Sequence, residues 1–353
     1  MKVLCISAGI HGGMYHYSTE FARQLSEYVE VGLIIGHIDE KLQNLSKITA
    51  IEVSYEKKDF LKTELTIRKF VEKFQPDIIH FTDFHIILLP LVPFFKRYVT
   101  VTTIHDTSLH PGSYTLINKF LLNVYLNLGK KLIVHGEILK KNLTEIGITD
   151  SKIKVIPHGD YSFFLDYDQN QIVEKNEILF FGRIIKYKGL DILLKAMKSI
   201  VKTNPSIKLV IAGEGNLKPY SLLLDEINEK HIEIHNYFIP DRDVPSFFRR
   251  AKCIILPYIE ASQTGIVPIA SAFKKTVVAT KVGAISEIVE NGKTGILVQP
   301  NDPDTLAEAI TYVLNNDSIR EQMGEAAFQK MTIELCWEKI ALKHIEVYKE
   351  LLP

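Results

Sequence analysis

The chain is poor in the features that mark several protein classes. It has 3 cysteines in 353 residues, Cys5, Cys253 and Cys336, far apart in sequence. That is too few and too scattered for a disulfide framework or a zinc site, and it fits a reducing compartment. There is no charge of one sign: 42 Lys and Arg stand against 42 Asp and Glu. A nucleic-acid binder is usually visibly basic, so no nucleic-acid partner is expected. Long apolar runs are missing too. IILLPLVPFF at 86–95 carries two prolines and falls well short of the roughly 20 residues a membrane span needs. No signal peptide is read at the start, where Met1-Lys2 leads directly into the strand-like VLCIS. A soluble, cytoplasmic protein is expected, at most lying on a membrane surface.

What is present is a globular composition, 46% hydrophobic and 24% charged, and a length that suits two domains. Strand-like runs alternate with helical ones, which implies parallel α/β sheets. In the first half the strands read at 2–6, 31–35, 77–81, 98–104, 131–134 and 153–156. In the second half they read at 178–181, 208–212, 232–235, 253–256, 276–279 and 295–298. Leu190, Leu193, Leu194, Met197, Ile200 and Val201 fall on one face of a helix, stopped by Asn204-Pro205. Each half thus reads as a doubly wound sheet of six strands, with a polar linker at 161–177 between them. Residues 337–353 read as a final amphipathic helix. Nine of the twelve histidines lie in the first half.

In such sheets ligands bind at loops beyond the carboxyl ends of the strands. Four of these loops carry useful chemistry. SAGIHGGMYHYS at 7–18 has Gly9, Gly12 and Gly13 ahead of a helix N-terminus, a place suited to an anion, though it lacks the dinucleotide spacing. FFGRIIKYKGLD at 180–191 sets Arg183 and Lys188 at a strand-to-helix turn, where two cations suit a diphosphate; taken alone, a solvated basic turn is the better explanation. LPYIEASQTG places Ser262, Gln263, Thr264 and Gly265 before a helix starting near Ile266, as an anion or sugar cradle or as a simple cap. TTIHDTSLHPGS carries His105, Asp106 and His110, a general-base pair or a hydroxyl-binding site, with structural roles equally open.

Taken together, these stretches resemble the retaining glycosyltransferases of family 4. The resemblance runs through PDIIHFTDFH, VTTIHD, KIKVIPHGD, FGRIIKYKGLDILLKA, LVIAGEGN, ILPYIEASQTG and VVATKVGAISEIVENGKTGILVQP, in order along nearly the whole chain. It implies a GT-B fold: an α/β protein of two facing Rossmann-like domains with a cleft between them. An acceptor-binding domain is expected at 1–165, a nucleotide-sugar-binding domain at 166–335, and a last helix at 336–353 that packs back on the first. It implies that Arg183 and Lys188 bind the donor diphosphate and act in catalysis, with Gly12 and Gly13 facing the same phosphates. Tyr237, Phe238 and Ile239 are implied at the nucleotide base. Ser262, Gln263, Thr264, Gly265 and Ile266 are implied on the donor side. His105, Asp106 and His110 are implied on the acceptor side, His105 also in catalysis.

The resemblance further implies a UDP- or GDP-linked sugar as co-substrate and a glycan or lipid-linked acceptor in cell-surface polysaccharide assembly. No cofactor and no metal are implied. Asp241-Arg242-Asp243 has the spacing of a metal-binding pair, but Asp243 reads as a helix cap. Lys96-Arg97, Lys119, Lys130-Lys131 and Lys140-Lys141 allow peripheral membrane contact next to 86–95; a buried apolar element with ordinary surface lysines is the simpler expectation.

One departure stands out. The family pattern has two Glu separated by seven residues, and Ser262 and Ala270 occupy those positions here. Two rival expectations therefore stay open: a non-catalytic subunit of the same fold that scaffolds a partner enzyme, and a sugar-nucleotide 2-epimerase. Turnover of a donor by the pure protein separates them.

Overall fold

A computed structural model describes residues 1–107, 116–168 and 172–352. The chain forms two compact units, one of Met1–Gly159 with Leu335–Pro353, the other of Asp160–Glu334.

The first unit is built on a seven-stranded parallel sheet. Its strands are β1 (Lys2–Ile6), β2 (Glu30–Ile35), β3 (Ile48–Glu52), β4 (Ile78–Phe81), β5 (Val99–Ile104), β6 (Lys131–Val134) and β7 (Ile153–Val155), in the order β3-β2-β1-β4-β5-β6-β7. Six strands were expected and β3 was not. ITAIE is an edge strand paired only with β2, and its side chains are partly exposed, so it lacks the continuous apolar run of a buried parallel strand. The interior strands do show that run: Val3, Leu4, Cys5 and Ile6 are all fully buried.

Separate apolar clusters cover the two faces of this sheet. One holds Phe70, Val71 and Phe74 of the helix Phe60–Phe74. The run 86–95 belongs to the same cluster: it forms a short 3₁₀ helix, Ile86–Leu91, and a helical turn, Val92–Phe95, with Ile87, Leu88, Leu91, Phe94 and Phe95 buried. It is a core element. Three of the seven basic residues named above are in ion pairs, Lys131 with Glu350, Lys140 with Asp150 and Lys141 with Glu145. No helix among the described residues is long and apolar enough to cross a membrane. On the opposite face the helices Gly12–Leu25 and Trp337–Leu351 share a cluster containing Tyr17, Phe21, Trp337, Ile340, Ala341 and Tyr348. The C-terminal helix therefore completes the first unit.

The second unit has a six-stranded parallel sheet: β8 (Glu177–Phe181), β9 (Lys208–Ala212), β10 (Ile232–His235), β11 (Cys253–Leu256), β12 (Thr276–Thr280) and β13 (Gly295–Val298), ordered β10-β9-β8-β11-β12-β13. All six lie where the β-branched runs place them. The helix Leu190–Thr203 buries Leu190, Leu193, Leu194, Met197 and Ile200 against one face, as its 3.6-residue period requires. Part of the stretch expected as a polar linker is ordered: Ser162–Tyr167 is a 3₁₀ helix, and Tyr161 and Phe164 sit in the core on the other face. Four aromatics bunched in YSFFLDY leave no periodicity to read, yet Tyr161 and Phe164 bury enough surface to anchor it. Both sheets carry cores on both faces and reverse strand order in the middle, between β1 and β4 and between β8 and β11, as doubly wound Rossmann-like folds do.

Candidate functional site

In the second unit, the chain leaving β8 turns at Gly182, whose φ is +98°. A side chain there would meet Lys188 Nζ at 2.6 Å, so glycine is what lets the ammonium fold back over the strand end. Lys188 is buried, and its Nζ lies 5.5 Å from the centroid of the Tyr258 ring beyond β11. Burial, with repulsion from Arg183, lowers its pKa to about 7. Among the described residues neither Arg183 nor Lys188 has a carboxylate partner. A buried lysine without a counter-ion is costly, and such perturbed groups concentrate at functional sites.

The other loops gather at the same strand ends. Tyr258 Oη is 3.5 Å from Thr264 Oγ1, and that hydroxyl accepts the Ile266 N–H at the start of the helix Ile266–Ala272. The N-cap is Gly265 and no side chain caps the helix, so neither Ser262 nor Thr264 is the cap; Thr264, one residue earlier, bonds only the first helical N–H. Ser262 is buried, and its carbonyl accepts the Ala284 N–H. Gln263 Oε1 is buried and has no hydrogen-bond partner among the described residues. Gly265 packs against Tyr161, where a Cβ would stand 2.9 Å from the phenol oxygen.

On the β9 side, Ile184 N–H donates to Glu214 O and Gly215 N–H to Asn236 Oδ1. These bonds tie the Arg183 turn to the loop after β9, and that loop to Asn236–Ile239 after β10. Ile239 is buried there, while Tyr237 and Phe238 are close to half exposed. The structure therefore brings Arg183, Lys188, Thr264 and Ile266 together at the β8–β11 switch point, and places Tyr237, Phe238 and Ile239 on the adjoining loop. Asp241–Asp243 is a 3₁₀ turn; Asp243 precedes the helix Val244–Arg250, but its carboxylate makes no capping bond. No group of three or more His, Cys, Asp or Glu side chains suited to a metal is found among the described residues.

In the first unit the glycine loop follows β1. Gly12 has φ +74°, with open space where a Cβ would point, and Gly13 is exposed. His105 follows β5, half-buried, with both ring nitrogens engaged. Nε2 donates to Thr82 O at 3.0 Å, and Nδ1 lies 3.1 Å from His135 Nε2. His135 Nδ1 in turn donates to Ile156 O. Two neutral rings bring two protons, and both go to carbonyls. The His105–His135 approach is thus the point where a third proton enters, and burial resists it: the His105 pKa falls to about 4 and that of His135 lies well below its ordinary value. Asp106 is exposed beside them. His110 lies outside the described residues.

Sequence reasoning missed Tyr258, His135 and Tyr161. Their partners are 70, 30 and 104 residues away, and only sheet order brings them together. Tyr258 alone left a trace, as the residue that follows a strand-ending Pro257.

Comparison with known proteins agrees with this architecture. The family Glycosyl transferases group 1 matches residues 165–330, and Glycosyltransferase Family 4 matches 11–159. An uncharacterised glycosyltransferase of Methanocaldococcus jannaschii is 27% identical over 234 residues, 62% of this chain and 60% of that protein. The capsular polysaccharide biosynthesis glycosyltransferase CapM of Staphylococcus aureus is 25% identical over 240 residues, 62% of each. The chain thus spans about three-fifths of the length of these relatives. Among solved structures, Anabaena HepE in complex with UDP-glucose superposes with a TM-score of 0.81, covering 99% of this chain and 100% of that one at 17% identity. With the two family matches side by side along the chain and the same fold in both units, this protein belongs to the group 1 glycosyltransferases of the GT-B fold.

Proposed function

We propose that the chain transfers a sugar, with retention of anomeric configuration, from a UDP- or GDP-linked donor to a glycan or lipid-linked acceptor in cell-surface polysaccharide assembly. The observation that carries this is the buried Lys188 beside Arg183 at the β8–β11 switch point, neither with a carboxylate partner among the described residues. Names of similar proteins support the direction: CapM works in capsule synthesis, and HepE was solved with UDP-glucose.

In this reading the diphosphate lies against Arg183 and Lys188. As the anomeric C–O bond breaks, charge grows on the leaving phosphate, and two fixed cations stabilise it without reorganising. Backbone N–H groups of the Gly265-Ile266 helix start add to that field. Tyr237 and Phe238 offer faces to the base, with Ile239 behind them. With Ser262 and Ala270 at the family's two Glu positions, the sugar hydroxyls are held by the neutral amide and hydroxyl dipoles of Ser262, Gln263 and Thr264. His105 and Asp106 serve the acceptor side. The cations take the part of a divalent ion, so activity persists in excess chelator. The enzyme works in the cytoplasm. A binding and turnover screen against UDP-, GDP- and ADP-sugars tests the proposal. A parent protein that binds donors without releasing or transferring sugar favours the scaffolding subunit instead, and free sugar epimerised at C2 favours the epimerase.

A further inference from the structure

We propose that Asp83 is an acceptor-binding residue, its carboxylate taking the hydrogen bond of the hydroxyl that attacks the donor sugar. This rests on the transferase function proposed above. Asp83 is the second residue after β4, at the β1–β4 switch point of the first sheet, where the glycine loop leaves β1. A doubly wound sheet binds its ligand at that place.

The backbone around it is held from several sides. Tyr125 Oη donates to Phe81 O at 2.9 Å and to Thr103 O at 2.8 Å. His105 Nε2 donates to Thr82 O, and Thr82 Oγ1 bonds both Ile6 O and Ser18 Oγ. The main chain leading into Asp83 is therefore held by strand ends and helices rather than left in a loose loop, and a fixed backbone is what orienting a nucleophile demands.

Its own partners leave it incomplete. Phe84 N–H donates to Oδ1 at 2.7 Å, and the Ala8 N–H also reaches the carboxylate. A carboxylate accepts up to about four hydrogen bonds, so two N–H groups leave capacity for an O–H donor. No cation is paired with it among the described residues. The titratable groups packed near it are Tyr55 on the loop after β3, Tyr125 on the helix Leu116–Leu128, His85 on its own loop, and His105 after β5. Burial raises the pKa of both phenols and lowers that of both imidazoles, so all four are neutral at pH 7. Burial lifts the Asp83 pKa to about 6, and it remains largely ionised there. One negative charge in neutral surroundings, with capacity for further donors and placed at the carboxyl end of the sheet, suits a polyhydroxylated acceptor.

The test uses the full chain with UDP-glucose and GDP-mannose, water standing in for the acceptor hydroxyl. For the donor that the parent hydrolyses, Asp83→Asn should lower kcat at least tenfold while nucleotide affinity stays within about twofold and the melting temperature holds. The parent's kcat should fall as pH drops below 6, that limb should vanish in Asp83→Asn, and Asp83→Glu should restore part of the rate. An Asp83→Asn variant with the parent's rate, or with the same acid limb, overturns the proposal and leaves the transferase function standing. A rate loss matched by lost nucleotide binding or a lower melting temperature also overturns it, showing a loop staple only. If the parent neither binds nor hydrolyses either donor, the transferase function falls, and this proposal with it.

Discussion

Lys188 shows how one side chain exposes a site. Its folded pKa, about 7, lies below the usual lysine value. The unfolded chain therefore binds more protons between those two values, and this residue weakens the fold at neutral pH, the penalty easing as pH rises toward the ordinary lysine value. A bound diphosphate reverses the cause by supplying negative charge, which raises the Lys188 pKa again. UDP binding at pH 8 should therefore take up protons, read by calorimetry in two buffers of different ionisation enthalpy, and Lys188→Met should abolish the uptake. Binding with no proton uptake in the parent would show the ammonium facing something other than phosphate.

The buried imidazoles make a second residue-scale expectation. Burial lowers the pKa of His80, His105, His135, His158 and His344. Each is neutral when folded and takes a proton more readily when unfolded. Their contribution is complete above the unfolded value of about 6.5 and is lost as pH falls below it. The first unit should melt at steadily lower temperature from pH 6.5 to pH 4, seen as a lower-temperature transition in scanning calorimetry. A flat melting temperature across that range would mean these rings are not neutral and buried.

At the scale of elements, the C-terminal helix is part of the first unit's core. Trp337 packs on Gly159, where any side chain would run into the indole at 2.3 Å, and on the Tyr17 ring at 5.5 Å. Tyr348 on the same helix lies 2.6 Å from His80 Nδ1, and the other nitrogen of that ring meets Thr103. Trp337→Ala should cost about 3–5 kcal/mol, lowering the urea midpoint of the first unit's transition and sparing the second. The helix was legible in sequence because its apolar residues keep a helical period. The strand β3 was not, because an edge strand alternates with exposed polar positions and carries little apolar signal. The Arg183–Lys188 turn was legible for a further reason: its chemistry lies within one short segment, with glycines on both sides. The contacts that complete the site, Lys188 on Tyr258 and His105 on His135, depend on which strands are neighbours, and no local pattern encodes that.

At the scale of the whole molecule, the chain runs through one Rossmann-like unit, enters the second at Asp160, and returns at Leu335 to finish the first. Family membership follows from matches on both units, and the central functional claim rests on two cations in the second. The most direct measurement is turnover of the donor selected from UDP-, GDP- and ADP-sugars by the parent chain and by Arg183→Ala. The account predicts measurable sugar transfer or release by the parent. It predicts a loss of about 10²-fold or more in Arg183→Ala with unchanged melting, since removing one preorganised charge from a developing oxyanion typically costs about 3–4 kcal/mol. An Arg183→Ala protein that turns over its donor at the parent rate would contradict it and leave the turn after β8 a solvated basic loop.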